Sequence, residues 1–121
     1  MAIRLGRRGK GRKRSPGAPL ESEISGQIVN ALRSIGCDVS STQQRRRSQQ
    51  TEGMPDLYAT HAAWNVRAWI EVKRPGEEPS DVQKEWHAAE RAAGGIVLVV
   101  TSAADALSQF GALPRKRLLS R

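Results

Sequence analysis

Apolar positions repeat in two distinct rhythms along this chain. Ile24, Ile28, Ala31, Leu32 and Ile35 recur at a 3.6-residue period, which predicts an amphipathic helix from about Pro19 or Glu21 to Ile35, stopped by Gly36. Residues 37–43 read as a short strand. The stretch "STQQRRRSQQTEG" (41–53) is polar throughout and reads as an exposed loop or hairpin tip. The rhythm then shortens to two. "DLYAT" (56–60) and "VRAWIEVK" (66–73) are rich in β-formers, and the brief connection over 61–65 favours an antiparallel pair. A helical pattern returns after "PGEEP". Ser80 is a good N-cap and Gln83 completes a capping box with it. Val82, Trp86, Ala89 and Ala93 form the expected buried stripe, and Gly94-Gly95 ends the helix. "IVLVV" (96–100) is a continuous apolar run, as expected of a strand covered on both faces. Ser102 can cap a last short helix through about Phe110. The order α-β-β-β-α-β-α describes an α/β chain with a small mixed sheet flanked by helices. Strands 66–73 and 96–100, joined through a helix, should run parallel.

Composition adds limits. At 121 residues the chain should form one domain with a modest core. Its one cysteine, Cys37, excludes an internal disulfide framework, suggests a reducing compartment and reads as an inert buried thiol. No apolar run is long enough to span a bilayer, and no signal-peptide pattern opens the chain. The expectation is a soluble, intracellular and cytoplasmic protein with no membrane partner.

Charge changes the picture more. The net +8 is unevenly placed. Arg4, Arg7, Arg8, Lys10, Arg12, Lys13 and Arg14 lie in the first twenty residues with no acid, and Arg115, Lys116, Arg117 and Arg121 lie at the other end. The body from 21 to 113 is therefore slightly acidic. We expect a basic disordered arm over 1–19, a folded domain over 20–112 and a basic tail over 113–121. Such arms suit sequence-independent phosphate contact.

The candidate chemistry lies in "AWIEVKRPG" (68–76). Alternate strand residues share a face, so Glu71 and Lys73 stand together about 7 Å apart along the strand, with Ile70 and Val72 turned the other way. If 56–60 and 66–73 pair as a hairpin, Asp56 falls near the same end. Two converging carboxylates repel unless a cation joins them. Mg²⁺ or Mn²⁺ suits an oxygen donor pair, and a lysine beside it can orient a water or a phosphate. The same pattern also fits a solvated sheet face carrying an ion pair.

"GMPD" (53–56), "WIEVKRPG" (69–76) and "PSDVQKEW" (79–86) together resemble the PD-(D/E)xK nuclease signature, in the form of the VRR-NUC (virus-type replication-repair nuclease) family. The resemblance spans about residues 20–101. It implies a restriction-endonuclease-like fold and metal-dependent phosphodiester hydrolysis, on branched DNA such as Holliday junctions, in repair or phage settings. It also implies that Asp56, Glu71 and the main-chain carbonyl of Val72 hold the ion, that Lys73 is catalytic and that Gln83 lies beside them. The family uses a first-helix glutamate. Glu21 shares the inward stripe with Ile24 and Ile28, whereas Glu23 is rotated away from it, which selects Glu21. Members often carry Glu or Gln one turn on, where this chain has Ser25.

Arg45, Arg46, Arg47 and Arg74 are the expected phosphate contacts. His61 and His87 read as structural or exposed, since an oxygen-rich site needs no imidazole. Trp69 shares a face with Glu71, and packing is its expected role. The expectation is a Mg²⁺- or Mn²⁺-dependent structure-selective DNA endonuclease, with one or two ions left open. Symmetric junction cleavage calls for a C2 homodimer. A basic nucleic-acid binder without catalysis is the rival reading.

Overall fold

A computed structural model describes residues 19–42 and 52–115. The basic arm over 1–18, the loop with Arg45, Arg46 and Arg47, and the tail from 116 lie outside the described residues. The elements are α1 (Glu21–Ser34), β1 (Asp38–Ser41), β2 (Leu57–His61), β3 (Val66–Val72), α2 (Asp81–Ala92), β4 (Val97–Val100) and α3 (Ala103–Gly111). This is the expected order, with boundaries within one or two residues. The four strands form one sheet in the order β1-β2-β3-β4, antiparallel except for the parallel β3–β4 pair across α2.

Strand alternation sorts the sheet into two faces. Leu57, Ala59, Ala68, Ile70, Val72 and Val100 point to one side and are buried with Ile24, Ile28 and Leu32 of α1 and Ala106 and Phe110 of α3. Cys37 joins this core and burial pushes its thiol up to about 11, so it is an inert group at neutral pH. His61 is structural. Its Nε2 donates to the Ile35 carbonyl at 2.7 Å, its Nδ1 accepts from the Trp64 N–H at 3.2 Å, and its ring stacks on Trp64 at 3.9 Å.

The other face is covered by α2, and here the expected stripe needs correction. Val82 is 41% exposed, and Ala89 and Ala93 also face solvent. The inward row is instead Gln83, Trp86, His87 and Glu90, of which Trp86 meets Trp69 edge-on at 5.2 Å and Glu90 accepts from Trp69 Nε1 at 3.2 Å. Hydrophobic periodicity located the helix but misread its rotation, because its buried contacts are mostly polar. A second correction concerns β4. Val97 and Val100 are buried, but Leu98 and Val99 are only partly so, because β4 is an edge strand among the described residues.

Among the described residues, side chains cap outward carbonyls on both edge strands. Ile96 and Val100 carbonyls accept from Trp69 of β3 and from Lys73 just beyond it, so the alternate carbonyls of Val97 and Val99 face outward. Arg91 donates to the first at 2.7 Å and Gln109 to the second at 2.9 Å. On the opposite edge Arg33 donates to Val39 O at 3.2 Å. Unpaired edge carbonyls invite another strand. The double variant Arg91→Ala, Gln109→Ala should therefore self-associate more than the parent in sedimentation velocity. Its stability should stay within about 1 kcal/mol, since water can replace the lost hydrogen bonds. Unchanged sedimentation would show that other features keep the edge clear.

Candidate active site

The hairpin ladder ends where the site begins. Leu57 pairs with Ile70 as the last register pair of β2 and β3, so the Val72 N–H has no strand partner beyond it. The Asp56 carboxylate takes that role, with Oδ2 accepting from Val72 N–H at 2.9 Å. The backbone of "GMPD" makes this possible. Gly53 has φ +88°, and a Cβ there would stand 2.7 Å from the Val82 carbonyl oxygen. Its close approach seats the Asp56 loop against the start of α2. Thr42, just past the end of β1, anchors the same loop by donating to Pro55 O at 2.7 Å. Gly53→Ala combines a left-handed backbone with a backbone collision. We expect it to cost about 1–3 kcal/mol in chemical unfolding and to loosen the Asp56–Val72 contact. An unchanged midpoint would mean that the loop adjusts freely.

Glu71 lies on the α2 side of β3 and is 1% exposed. Four groups surround it. Gln83 Nε2 donates to Oε2 at 3.1 Å, His87 Nε2 stands 3.3 Å from Oε1, Lys73 Nζ is 3.7 Å from Oε2, and the Asp56 side chain is a hydrogen-bonding neighbour. Desolvation, then the Asp56 charge, raises the Glu71 carboxyl to about 8, against a lowering pull from Lys73. Gln83 is itself held at the other end of its amide. Its Oε1 accepts from Ser80 N–H at 2.8 Å, while Gln83 N–H donates to Ser80 Oγ at 3.2 Å. The capping box that starts α2 therefore also aims the amide at Glu71.

Glu21 lines an open cleft of about 330 Å³ with Ser22, Ser25, Ser41, Asp56 and Val72. Partial burial and the Asp56 charge raise its carboxyl from the ordinary value. Glu23 is turned elsewhere, its Oε1 accepting from Leu20 N–H at 2.8 Å to close the helix start. Glu21 thus shares the cleft with Asp56, while Glu71 lies buried behind it. Among the described residues no group of three or more His, Cys, Asp or Glu side chains is placed to hold a metal ion.

The structure thus brings together Asp56, Glu71, Val72, Lys73 and Gln83, with Glu21 at the rim. Arg74 is near but engaged, its guanidinium donating to Glu77 Oε2 at 3.0 and 2.6 Å and its N–H to Oε1. That pairing holds the Glu77 carboxyl below its usual range. Arg45, Arg46 and Arg47 lie outside the described residues.

His87, expected to be structural or exposed, proves to be buried beside Glu71. It is 2% exposed, touches Glu71 and is shifted down by burial and then by the Arg91 charge. The available signal was its place four residues after Gln83, on the same helix face.

No protein-family model matches the chain, and no curated protein matches it significantly in sequence. Two solved structures do resemble it. One, described as a "VRR_NUC domain", superposes with TM-score 0.61 at 23% identity, covering 76% of this chain and 95% of its own. The other, a "VRR_NUC domain protein", gives TM-score 0.59 at 18% identity, covering 78% and 87%. At that identity the likeness concerns architecture. The α-β-β-β-α-β-α order, the mixed sheet and these superpositions agree that the chain has the fold of the VRR-NUC family.

Proposed function

We propose that the chain is a divalent-metal-dependent DNA endonuclease that hydrolyses phosphodiester bonds in branched DNA, such as four-way junctions, and works as a C2 homodimer. The observation that carries this reading is the convergence of Asp56, Glu71 and Lys73 where the β2–β3 ladder ends.

The donor set fits a hard cation. Two neighbouring carboxyl groups, one of them buried, repel when both are charged, and burial first and the Asp56 charge second raise the Glu71 carboxyl. A divalent ion relieves the repulsion, and oxygen-only donors favour Mg²⁺ or Mn²⁺ over zinc. Asp56, Glu71 and the main-chain carbonyl of Val72 would hold it, with Glu21 facing them. The ion would supply Lewis-acid polarisation of the phosphate and a lowered pKa for a nearby water.

The chain's own residues do the rest. Water attacks phosphorus in line as the bond to the leaving oxygen breaks. The Lys73 ammonium stabilises the charge that gathers on the phosphate oxygens. Gln83, fixed by Ser80, keeps Glu71 from turning away. Arg45, Arg46 and Arg47 contact neighbouring phosphates, and Arg74 joins them by exchanging Glu77 for a phosphate. With its sheet edges capped, the homodimer pairs through another surface.

The test is cleavage of end-labelled four-way junction, flap and linear duplex with Mg²⁺, Mn²⁺ or EDTA, alongside sizing of the protein. Metal-dependent cutting of the junction in preference to the duplex is expected. Salt-sensitive binding without scission under every condition would favour a non-catalytic nucleic-acid binder.

A further inference from the structure

Among the inward side chains of α2, His87 has no part in the nuclease signature, yet it makes one of the most enclosed polar contacts among the described residues. It is 2% exposed and Glu71 is 1% exposed. Its Nε2 stands 3.3 Å from Glu71 Oε1, while Gln83 Nε2 stands 3.1 Å from Oε2. One helix face therefore holds both oxygens of the same carboxylate, from positions one turn apart.

Two holding points do what one does not. A glutamate held by one hydrogen bond can still swing its second oxygen about that bond. A contact on each oxygen sets the plane of the carboxylate as well as its position. A carboxylate offers about four lone-pair directions. Gln83 and His87 take one each. Lys73 at 3.7 Å is too far to hydrogen-bond, and a cation would take the place between Glu71 and Asp56. The geometry points to His87 as a positioning residue, which donates Nε2–H to Glu71 Oε1 and thereby orients Glu71 toward the divalent ion. This rests on the metal-dependent reading above. Partners that orient a ligand in this way typically change metal affinity by about 10–100-fold when removed.

A merely structural role is the competing account, since a buried carboxylate oxygen needs a partner whether or not an ion binds. The two accounts separate by measurement. Mn²⁺ affinity would be taken by isothermal titration on the full chain, its Asp56→Asn variant, His87→Phe and His87→Gln, with thermal unfolding of each. His87→Gln keeps a donor of similar reach, and His87→Phe removes it at similar size. The expected result is a Mn²⁺ Kd raised about 10–100-fold in His87→Phe, restored to within about threefold in His87→Gln, and lost in Asp56→Asn. In junction cleavage His87→Phe should lower kcat at saturating metal and leave the DNA KM unchanged. If His87→Phe does not fold, His87→Met gives the same comparison. Nitrogen NMR of the parent gives a further readout, since Mg²⁺ should shift the His87 Nε2 resonance.

A His87→Phe Kd equal to the parent's, beside lost binding in Asp56→Asn, overturns the positioning role and leaves the metal site standing. Parent-like Mn²⁺ binding by Asp56→Asn, or no binding by the parent, overturns the metal reading and this role with it. An Nε2 resonance indifferent to Mg²⁺ also counts against the role.

Discussion

Asp56→Asn and Lys73→Ala should each abolish most junction cleavage while leaving the fold at least as stable as the parent. Removing a pre-organised charge that acts on the reacting phosphate typically costs about 10²–10³ in rate. Losing a charged ligand of the cation should cost as much or more. Stability should move the other way in Asp56→Asn. Asp56 is the leading charged neighbour that raises Glu71, so neutralising it removes a repulsion that arises as Glu71 ionises. The asparagine oxygen can still accept from Val72 N–H, as Asp56 Oδ2 does at 2.9 Å. Loss of activity with equal or higher thermal stability marks a site arranged for function at some cost to the fold. Lys73→Ala should be close to neutral, since its partner Glu71 can take a proton when the ammonium is gone. Parent-like cleavage by either variant would show that the site has been wrongly assigned.

The second large effect is a pH dependence centred on Glu71. Its carboxyl rises from 4.5 to about 8 in the folded chain. The folded state therefore binds a proton that the unfolded state releases, and stability must fall as pH rises between those values. One proton gives a slope of about 1.4 kcal/mol per pH unit. Glu21 is also raised and acts in the same sense. His87 is lowered from 6.5, so it opposes Glu71 only below that pH, where the unfolded state takes up its proton first. Glu77 is lowered from 4.5, and its contribution is lost only at more acid pH. The window from 6.5 to about 8 thus isolates the raised carboxyls. Without divalent ions, the parent should lose stability across this window in urea unfolding, and Glu71→Gln should flatten most of the slope. If the site takes a divalent ion as proposed, added Mg²⁺ should oppose the loss by binding the folded state with Glu71 ionised. A parent curve flat over this window would mean that Glu71 is ionised throughout.

Much of this was legible along the chain because it depends on local periodicity. The 3.6-residue stripe on α1 and the two-residue alternation of β2 and β3 depend only on neighbours along the backbone. The same alternation placed Glu71 and Lys73 on one face, opposite Ile70 and Val72, as found. Helical rotation separated Glu21 from Glu23, and the structure gives them different surroundings, one lining the cleft and the other closing the helix start.

What failed was the reading of α2, and the reason is physical. Periodicity assumes that an inward face is apolar, but α2 turns Gln83, His87 and Glu90 toward Glu71 and Trp69, burying His87 fully and the other two in part, and each finds a polar partner. Pairing of that kind is invisible until two distant segments are set face to face. The sequence by itself determined the order of elements and the face that Glu71 and Lys73 share. Only the tertiary structure decided which neighbours enclose Glu71, because its environment is assembled from β2, β3 and α2 across separations of more than ten residues.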